Sequence, residues 1–173
     1  MKLQIRTLPD PILRQKAKPV SKIDPRIKTL AQEMAKFLKN DEPQKVRGVG
    51  LSAPQIGQSL RIIVVWSKAS HRVLTMINPV IVWYSKRTCL GISGGGNPYE
   101  GCLSVPGVWG KVRRHSVVKV RYLTPAGNQV VRKFRQLTGV VAQHEIDHLD
   151  GILFIDRIIQ QKGEILKQTN ESQ

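Results

Sequence analysis

Carboxylates are scarce in the middle of this 173-residue sequence, which carries a formal net charge of +16. Over residues 43–144, fifteen Lys or Arg residues stand against a single acid, Glu100. This scarcity argues against a dinucleotide site at the glycine-containing segment 48–53, because residues 43–99 contain no Asp or Glu to hold a ribose. The basic excess favours polyanionic partners such as nucleic acid, although a solvated basic enzyme surface has the same composition.

Long hydrophobic runs and cysteines are also in short supply. The longest apolar candidate, residues 62–66, is strand-sized, whereas a membrane-spanning helix needs about 20 apolar residues. Residues 1–6 are not followed by the apolar core and cleavage site of a secretory signal, so we expect a cytoplasmic protein with no membrane partner. In that setting Cys89 and Cys102 are expected to be free thiols or a metal ligand rather than a disulfide.

The order of the hydrophobic patterns predicts an α+β fold in a single domain over residues 1–173. Antiparallel or mixed sheets are expected to pack around a central helix that bears two histidines. β-Branched runs predict strands, with Asn78-Pro79 punctuating two of them and a turn over residues 124–128 making a hairpin. The predicted strands are residues 61–66, 73–77, 80–84, 116–123 and 129–134.

Two longer helices are indicated by apolar residues at helical spacing. Asp24 and Pro25 supply a cap and a first helical position for a helix that runs to about Lys39. The second covers residues 137–149, where Gly151 suits the C-terminal cap. A short basic helix is expected after Ile158.

The strongest chemical signal is His144-Glu145-Ile146-Asp147-His148, inside the second predicted helix. Residues four apart share a helix face, so the two imidazoles can converge on one metal ion. Glu145 can reach a water on that metal as a general base. Apolar neighbours and a proper helix end distinguish the motif from a chance match on a charged surface.

A catalytic site of this kind generally has three protein ligands and one open position, so a third ligand must come from elsewhere. The candidates are His71, His115, Cys89, Cys102 or a carboxylate. Cys102 is favoured because its neighbouring glycine lets the backbone approach closely and Glu100 lies two residues away. The residues alone leave open that Cys102 is a small buried core residue.

Three segments, in this order, carry a family resemblance: GVGLSAPQ at residues 48–55, EGCLS at residues 100–104 and QHEIDHLDG at residues 143–151. They resemble the three signature motifs of peptide deformylases, and the likeness extends from about Leu8 to Asp156. Two features depart from the pattern: Ser52 stands where the family usually has Ala, and residues 89–99 are unusually rich in glycine.

The resemblance implies a hydrolase that removes the N-formyl group from the N-terminal formylmethionine of nascent polypeptides. It implies a divalent metal held by Cys102, His144 and His148, with Glu145 assisting the attack of metal-bound water. In this family the ion is usually Fe²⁺, with Zn²⁺, Ni²⁺ or Co²⁺ as substitutes, and a soft thiolate ligand suits iron as well as zinc.

The resemblance also implies the groups around the metal. The side-chain amide of Gln55 and the backbone N–H of Leu103 would stabilise the oxyanion. Glu100, held by Arg114, would fix the loop that presents the ligand cysteine. Peptide backbone and methionine side chain would be bound by small or apolar residues: Val49, Gly50, Gly101, Val140 and Val141.

The expected partners are N-formylmethionyl peptides and nascent chains. The segment after Asp156 is short, so we expect no long ribosome-docking helix, and the basic stretch instead predicts attraction to ribosomal RNA.

Two other readings of the sequence stay open. One is an HExxH metallopeptidase that cuts internal peptide bonds. The other is a nucleic-acid-binding module with a structural metal, which the 5% aromatic content weakens.

Overall fold

The structure is a computed structural model that describes residues 3–39, 48–67, 70–91 and 98–167. The polar stretch at residues 40–47 and the glycines of residues 94–96 lie outside the described residues. Within the described ranges the fold is α+β, as the sequence predicted, with antiparallel sheets and three α-helices.

The two long helices form where the apolar spacing predicted them. Helix α1 covers Pro25–Lys39, and the Asp24 carboxylate caps it by accepting the Ile27 N–H at 2.8 Å. Helix α2 covers Gln136–Leu149 and is buried from its fourth residue onward. Gly151 follows with φ +73°, the left-handed conformation that commonly ends a helix.

The third helix differs from the prediction of a basic helix after Ile158. Helix α3 covers Phe154–Gln160, and the chain then enters a short strand. The earlier start has a local cause, because the Asp156 carboxylate accepts the Leu153 N–H at 2.8 Å. Phe154 and Ile158, one turn apart, are buried on the same face.

Ten strands form three antiparallel sheets among the described residues. The largest has the order β1-β2-β3-β8-β9, a second has the order β10-β6-β5, and β4 pairs with β7. The bounds are β1 Gly50–Ser52, β2 Ile62–Ser67, β3 Arg72–Tyr84, β4 Thr88–Leu90, β5 Glu100–Cys102, β6 Val105–Gly110, β7 Arg113–His115, β8 Val117–Leu123, β9 Gln129–Arg135 and β10 Ile165–Lys167.

Strand β3 corrects the prediction that Asn78-Pro79 separates two strands. Asn78 adopts φ +52° and the register with β8 shifts there, so the residues form a bulge inside one strand. The Asn78 side chain bonds both the N–H and the carbonyl of Val20 at 2.8 Å. This contact with a distant segment lets the strand continue past the proline.

Both faces of the large sheet are covered near β2, which explains its continuous apolar run. Ile62 and Val64 pack with residues of α1, whereas Ile63 and Val65 pack with Val141 and other residues of α2. Helix α2 is therefore held against the sheet. None of the described helices has the length and apolar character needed to cross a bilayer.

Candidate active site

The structure brings Cys102 to the two histidines of α2. Cys102 ends strand β5, just before the two-residue turn that leads into β6. Its Sγ lies 3.2 Å from Nε2 of His148. One ligand-capable atom each from Cys102, His144 and His148 all lie within 4.8 Å of one another. These three residues could hold a metal ion, and we call them the metal cluster.

The other candidate ligands lie elsewhere, and no second cluster of this kind occurs within the described ranges. Cys89 is on β4, where its Sγ lies 3.7 Å from the Arg114 carbonyl. His115 pairs its Nδ1 with the Ser85 carbonyl at 2.7 Å. His71 is exposed at the turn after β2. Both cysteines are free, as the sequence predicted.

The metal cluster has the donor set and the orientation that a divalent metal requires. A thiolate with two imidazoles suits Zn²⁺ or Fe²⁺. Nδ1 of His144 lies 2.9 Å from the Glu100 carboxylate, so that nitrogen carries the proton and Nε2 is left for the metal. Burial holds the pKa of His148 well below its ordinary value, which keeps the ring neutral as a ligand must be. Burial alone would also lower the pKa of His144, but hydrogen bonds with Cys102 and Glu100 outweigh it and raise that pKa, so metal binding at His144 would release a proton.

A buried ion network supports this arrangement. Arg114 donates to both Glu100 oxygens at 2.8 and 2.9 Å, as the resemblance implied, and also to Asp147 at 2.7 Å. Arg157 of α3 donates two hydrogen bonds to the same Asp147 carboxylate, at 2.6 and 3.1 Å. Burial alone would raise the pKa of Glu100, but hydrogen bonds from Arg114 and His144 outweigh it and lower that pKa to about 2. Glu100 is therefore ionised.

Asp147 and Arg157 were not singled out from the sequence. Asp147 lies inside the HExxH motif, on a helix with few other acids, and that position was a signal that could have been used. Arg157 gave no such signal, because its contact depends on how α3 packs against α2. The network therefore connects three elements to His144: β7 through Arg114, β5 through Glu100, and α3 through Arg157.

Replacing Arg114 with Ala is expected to destabilise the fold by about 3–5 kcal/mol, because the buried Glu100 carboxylate loses its cation and Asp147 is left with Arg157 alone. Metal affinity is expected to fall by about 10-fold to 100-fold, since Glu100, the hydrogen-bond partner of His144, is no longer held by Arg114. Urea unfolding and metal analysis after dialysis check both effects. The control is Lys36→Ala, which removes an exposed pair with Glu33 and should cost less than about 1 kcal/mol. If Arg114→Ala kept full metal content and native stability, the Arg114–Glu100 pair would not contribute to either property.

The Glu145 carboxylate lies in the site, and one of its oxygens lacks the hydrogen bond that a buried carboxylate oxygen usually accepts. Its Oε2 is buried and has no hydrogen-bond partner among the described residues. Burial raises the pKa of Glu145 to about 7. A Cβ added to Gly50 would overlap both Oε1 of Glu145 and Cγ1 of Val141, so a larger residue at this position would displace one of these side chains. Such an unpaired buried acid in a pocket is typical of a functional group.

Gln55 and Leu103 lie next to Cys102, Gln55 through a side-chain contact and Leu103 as the following residue in the chain. Gln55 lies in the 3-10 helix Ala53–Ile56, directly after β1. Its Nε2 is 3.4 Å from the Cys102 sulfur and 3.3 Å from the Ser104 hydroxyl. Leu103 occupies the turn between β5 and β6, outside the paired register of the two strands. Both residues line the same pocket as Glu145.

A pocket of about 500 Å³ contains these groups. Every residue that the resemblance implied for substrate binding lines it, namely Val49, Gly50, Gly101, Val140 and Val141. The sequence missed part of the wall, which Tyr99, Pro106, Val108 and Trp109 supply. Trp109 faces Gly101 across the β5–β6 hairpin, and a Cβ at Gly101 would lie 2.8 Å from the indole. Strand pairing decides this contact, so spacing along the chain could not reveal it.

Comparison with known proteins points to the same family that the three sequence motifs resemble. Residues 2–164 match the family model described as polypeptide deformylase. A peptide deformylase of Desulforudis audaxviator is 46% identical over 156 residues, or 89% of this chain and 92% of the relative. The crystal structure of peptide deformylase from Thermotoga maritima has a TM-score of 0.77 at 35% identity, covering 90% of this chain and 96% of that one. A Met-Ala-Ser-bound peptide deformylase from Acinetobacter baumannii also has a TM-score of 0.77, at 37% identity, covering 90% and 98%. This chain therefore belongs to the peptide deformylase family, enzymes that remove the N-formyl group from the N-terminal formylmethionine of nascent polypeptides.

Proposed function

We propose that Glu145, Gln55 and Leu103 perform deformylation beside a metal held by the metal cluster. The observation that carries this assignment is the unpaired, buried carboxylate oxygen of Glu145 in the same pocket as the cluster. The site draws on segments from residue 49 to residue 148, which supports a single catalytic domain over residues 1–173.

The metal ion that we propose is Fe²⁺, with Zn²⁺, Ni²⁺ or Co²⁺ as substitutes, because the thiolate and two imidazoles suit each of them. When bound, the ion supplies Lewis acidity that lowers the pKa of water and polarises the formyl carbonyl. The chain's contribution to that chemistry is to keep His144 in one tautomer through Glu100.

The proton transfers are assigned to Glu145. Its carboxylate accepts a proton from the attacking water as the new C–O bond forms at the formyl carbon. The carbonyl oxygen becomes an oxyanion, which accepts hydrogen bonds from the Gln55 amide and the Leu103 N–H. Glu145 then gives the proton to the amine nitrogen as the C–N bond breaks. The products are formate and a peptide with a free amino terminus.

The peptide is proposed to bind as an added strand between two sheet edges. Among the described residues, β1 is the edge strand of the five-stranded sheet and β5 is the edge strand of the three-stranded sheet. Val49 and Gly50 lie at the first edge and Gly101 at the second, and all three line the pocket. Edge backbone groups bind extended peptides of any sequence. Val140 and Val141 then contact the methionine side chain, the part that is common to all substrates.

The deciding experiment is formate release from a formyl-Met peptide by anaerobically purified protein loaded with Fe²⁺. We expect rapid formate release and no cleavage of internal bonds, with the unformylated peptide as the matched control. Cleavage of the unformylated peptide would support the metallopeptidase reading instead. If protein with full metal content catalysed neither reaction, that result would overturn the proposed assignment.

A second proposal concerns the outward side of β8 and β9, and it supports a cytoplasmic enzyme that works near the ribosome. Lys119, Arg121, Lys133 and Arg135 are exposed and alternate with inward residues, and we call these four residues the basic face. None of the four forms an ion pair with another described residue. Strands β3, β8 and β9 contain no acid at all. This composition favours the phosphates of ribosomal RNA.

Removing Lys119, Arg121 and Lys133 together by Ala substitution is expected to weaken binding to ribosomes. The slope of log K against log salt should fall by about two to three, roughly one for each phosphate that is no longer neutralised. The control is the triple variant Lys22→Ala, Arg26→Ala, Lys28→Ala, which removes the same charge at and before α1. An equal loss in both variants would point to net charge alone, and affinity independent of salt would contradict the proposal.

A further inference from the structure

The Gln55 amide is held by Ser52 through two hydrogen bonds. The backbone N–H and the side-chain hydroxyl of Ser52 each lie 2.9 Å from Oε1 of Gln55. Ser52 is completely buried and Gln55 almost so. Both lone pairs of the amide oxygen are thus occupied by one residue, on the side of the amide opposite the metal cluster.

The contacts of Ser52 decide which way the amide faces. A carboxamide presents oxygen in one direction and NH₂ in the other, and a flip exchanges acceptor for donor. Since a backbone N–H can only donate, the atom facing Ser52 must be the oxygen. The hydroxyl then donates as well, and the NH₂ group faces the Ser104 hydroxyl and the Cys102 sulfur. One N–H is taken by Ser104, which leaves the other directed toward the metal cluster.

We propose that Ser52 is a positioning residue for the deformylation reaction. Its hydroxyl locks the Gln55 amide with its NH₂ group toward the oxyanion. The role of Ser52 rests on the role proposed for Gln55 as an oxyanion donor. A pre-oriented donor stabilises the transition state without reorganisation, so a hydroxyl that restricts amide rotation contributes to the rate.

Substrate binding should be insensitive to this hydroxyl. The peptide edges are formed by Val49, Gly50 and Gly101, which line the pocket, whereas Ser52 does not. Without the hydroxyl, the Ser52 backbone N–H still favours the same amide orientation, but less strongly. Ser52→Ala is therefore expected to lower kcat by about threefold to tenfold. Complete loss of an oxyanion donor typically lowers the rate by about 100-fold to 1,000-fold. KM and metal content should not change.

The test is a double-mutant cycle with Ser52→Ala, Gln55→Ala and the combined variant. If the hydroxyl acts through the amide, Ser52→Ala should lower kcat in the native background and have no effect once Gln55 is Ala. Ser67→Ala is the matched control, because Ser67 is also a buried serine but does not line the pocket. It lies at the opposite end of β2 from Ile63, the residue that pairs with Ser52. Its kcat should equal that of the native protein, and thermal unfolding of all variants checks that each is folded.

Three outcomes would overturn the role of Ser52. An equal loss of kcat from Ser52→Ala in both backgrounds would show a structural effect that bypasses Gln55. Unchanged kcat in Ser52→Ala, with a large loss in Gln55→Ala, would reject the role of Ser52 and leave that of Gln55 intact. Full kcat in Gln55→Ala would reject both roles together.

Discussion

Replacing Glu145 with Gln is expected to lower kcat for a formyl-Met peptide by about 100-fold to 10,000-fold, the usual contribution of a general acid and base. The substitution preserves the size of the side chain and removes its ability to take a proton. Because Glu145 is not a member of the metal cluster, metal content should stay at the native level. Formate release, measured at matched metal occupancy, checks this result.

The matched control for Glu145 is Glu33→Gln, which changes an acid on α1 that does not line the pocket. It should leave kcat within experimental error of the native value. Activity of Glu145→Gln within a few-fold of native, at full metal content, would mean that another group moves the proton. Loss of metal in Glu145→Gln would instead assign the carboxylate to metal binding.

Replacing Cys102 with Ser is expected to remove most of the metal and with it nearly all activity. A hydroxyl does not ionise at neutral pH as a metal-bound thiol does, so the metal cluster loses its only anionic ligand. Loss of a group that only orients a ligand typically lowers metal affinity by about 10-fold to 100-fold. The loss of metal affinity in Cys102→Ser should be larger. Metal analysis after gel filtration, alongside a titration with Co²⁺, measures the loss directly.

Cys89→Ser is the control for Cys102, since Cys89 is the other free thiol of the chain and lies on β4, outside the metal cluster. It should bind metal as the native protein does. A Cys102→Ser protein that keeps its metal would contradict the assignment of the third ligand. Such a result would favour a site completed by His or Glu, as in the metallopeptidase reading.

Parts of the fold that depend on short stretches of chain were predictable. Helix α1 begins at its Asp-Pro start because the Asp24 cap is local, and α2 follows from apolar residues at helical spacing. The two histidines share a face for the same reason. Where a distant contact intervenes the prediction failed, as at Asn78, whose amide bonds Val20 and carries β3 through the proline.

The site shows the same division. The residues of this sequence by themselves predicted the helix that carries the HExxH motif and Glu145 as a candidate general base, and left the third ligand open among several side chains. Which of those reaches the histidines depends on which strand lies beside α2, a contact between parts of the chain far apart in sequence. The Glu100–Arg114–Asp147–Arg157 network was likewise decided by packing, because it joins four separate segments.

Composition and local pattern thus determined the helices, most strands and the reaction class suggested by the motifs. Only the tertiary structure decided the geometry of the site. It placed a serine hydroxyl behind the Gln55 amide, left one Glu145 oxygen unpaired, and set two sheet edges across the pocket. Hydrogen-bond direction and burial depend on neighbours brought together by folding. The amino-acid order encodes those neighbours, but spacing along the chain does not display them.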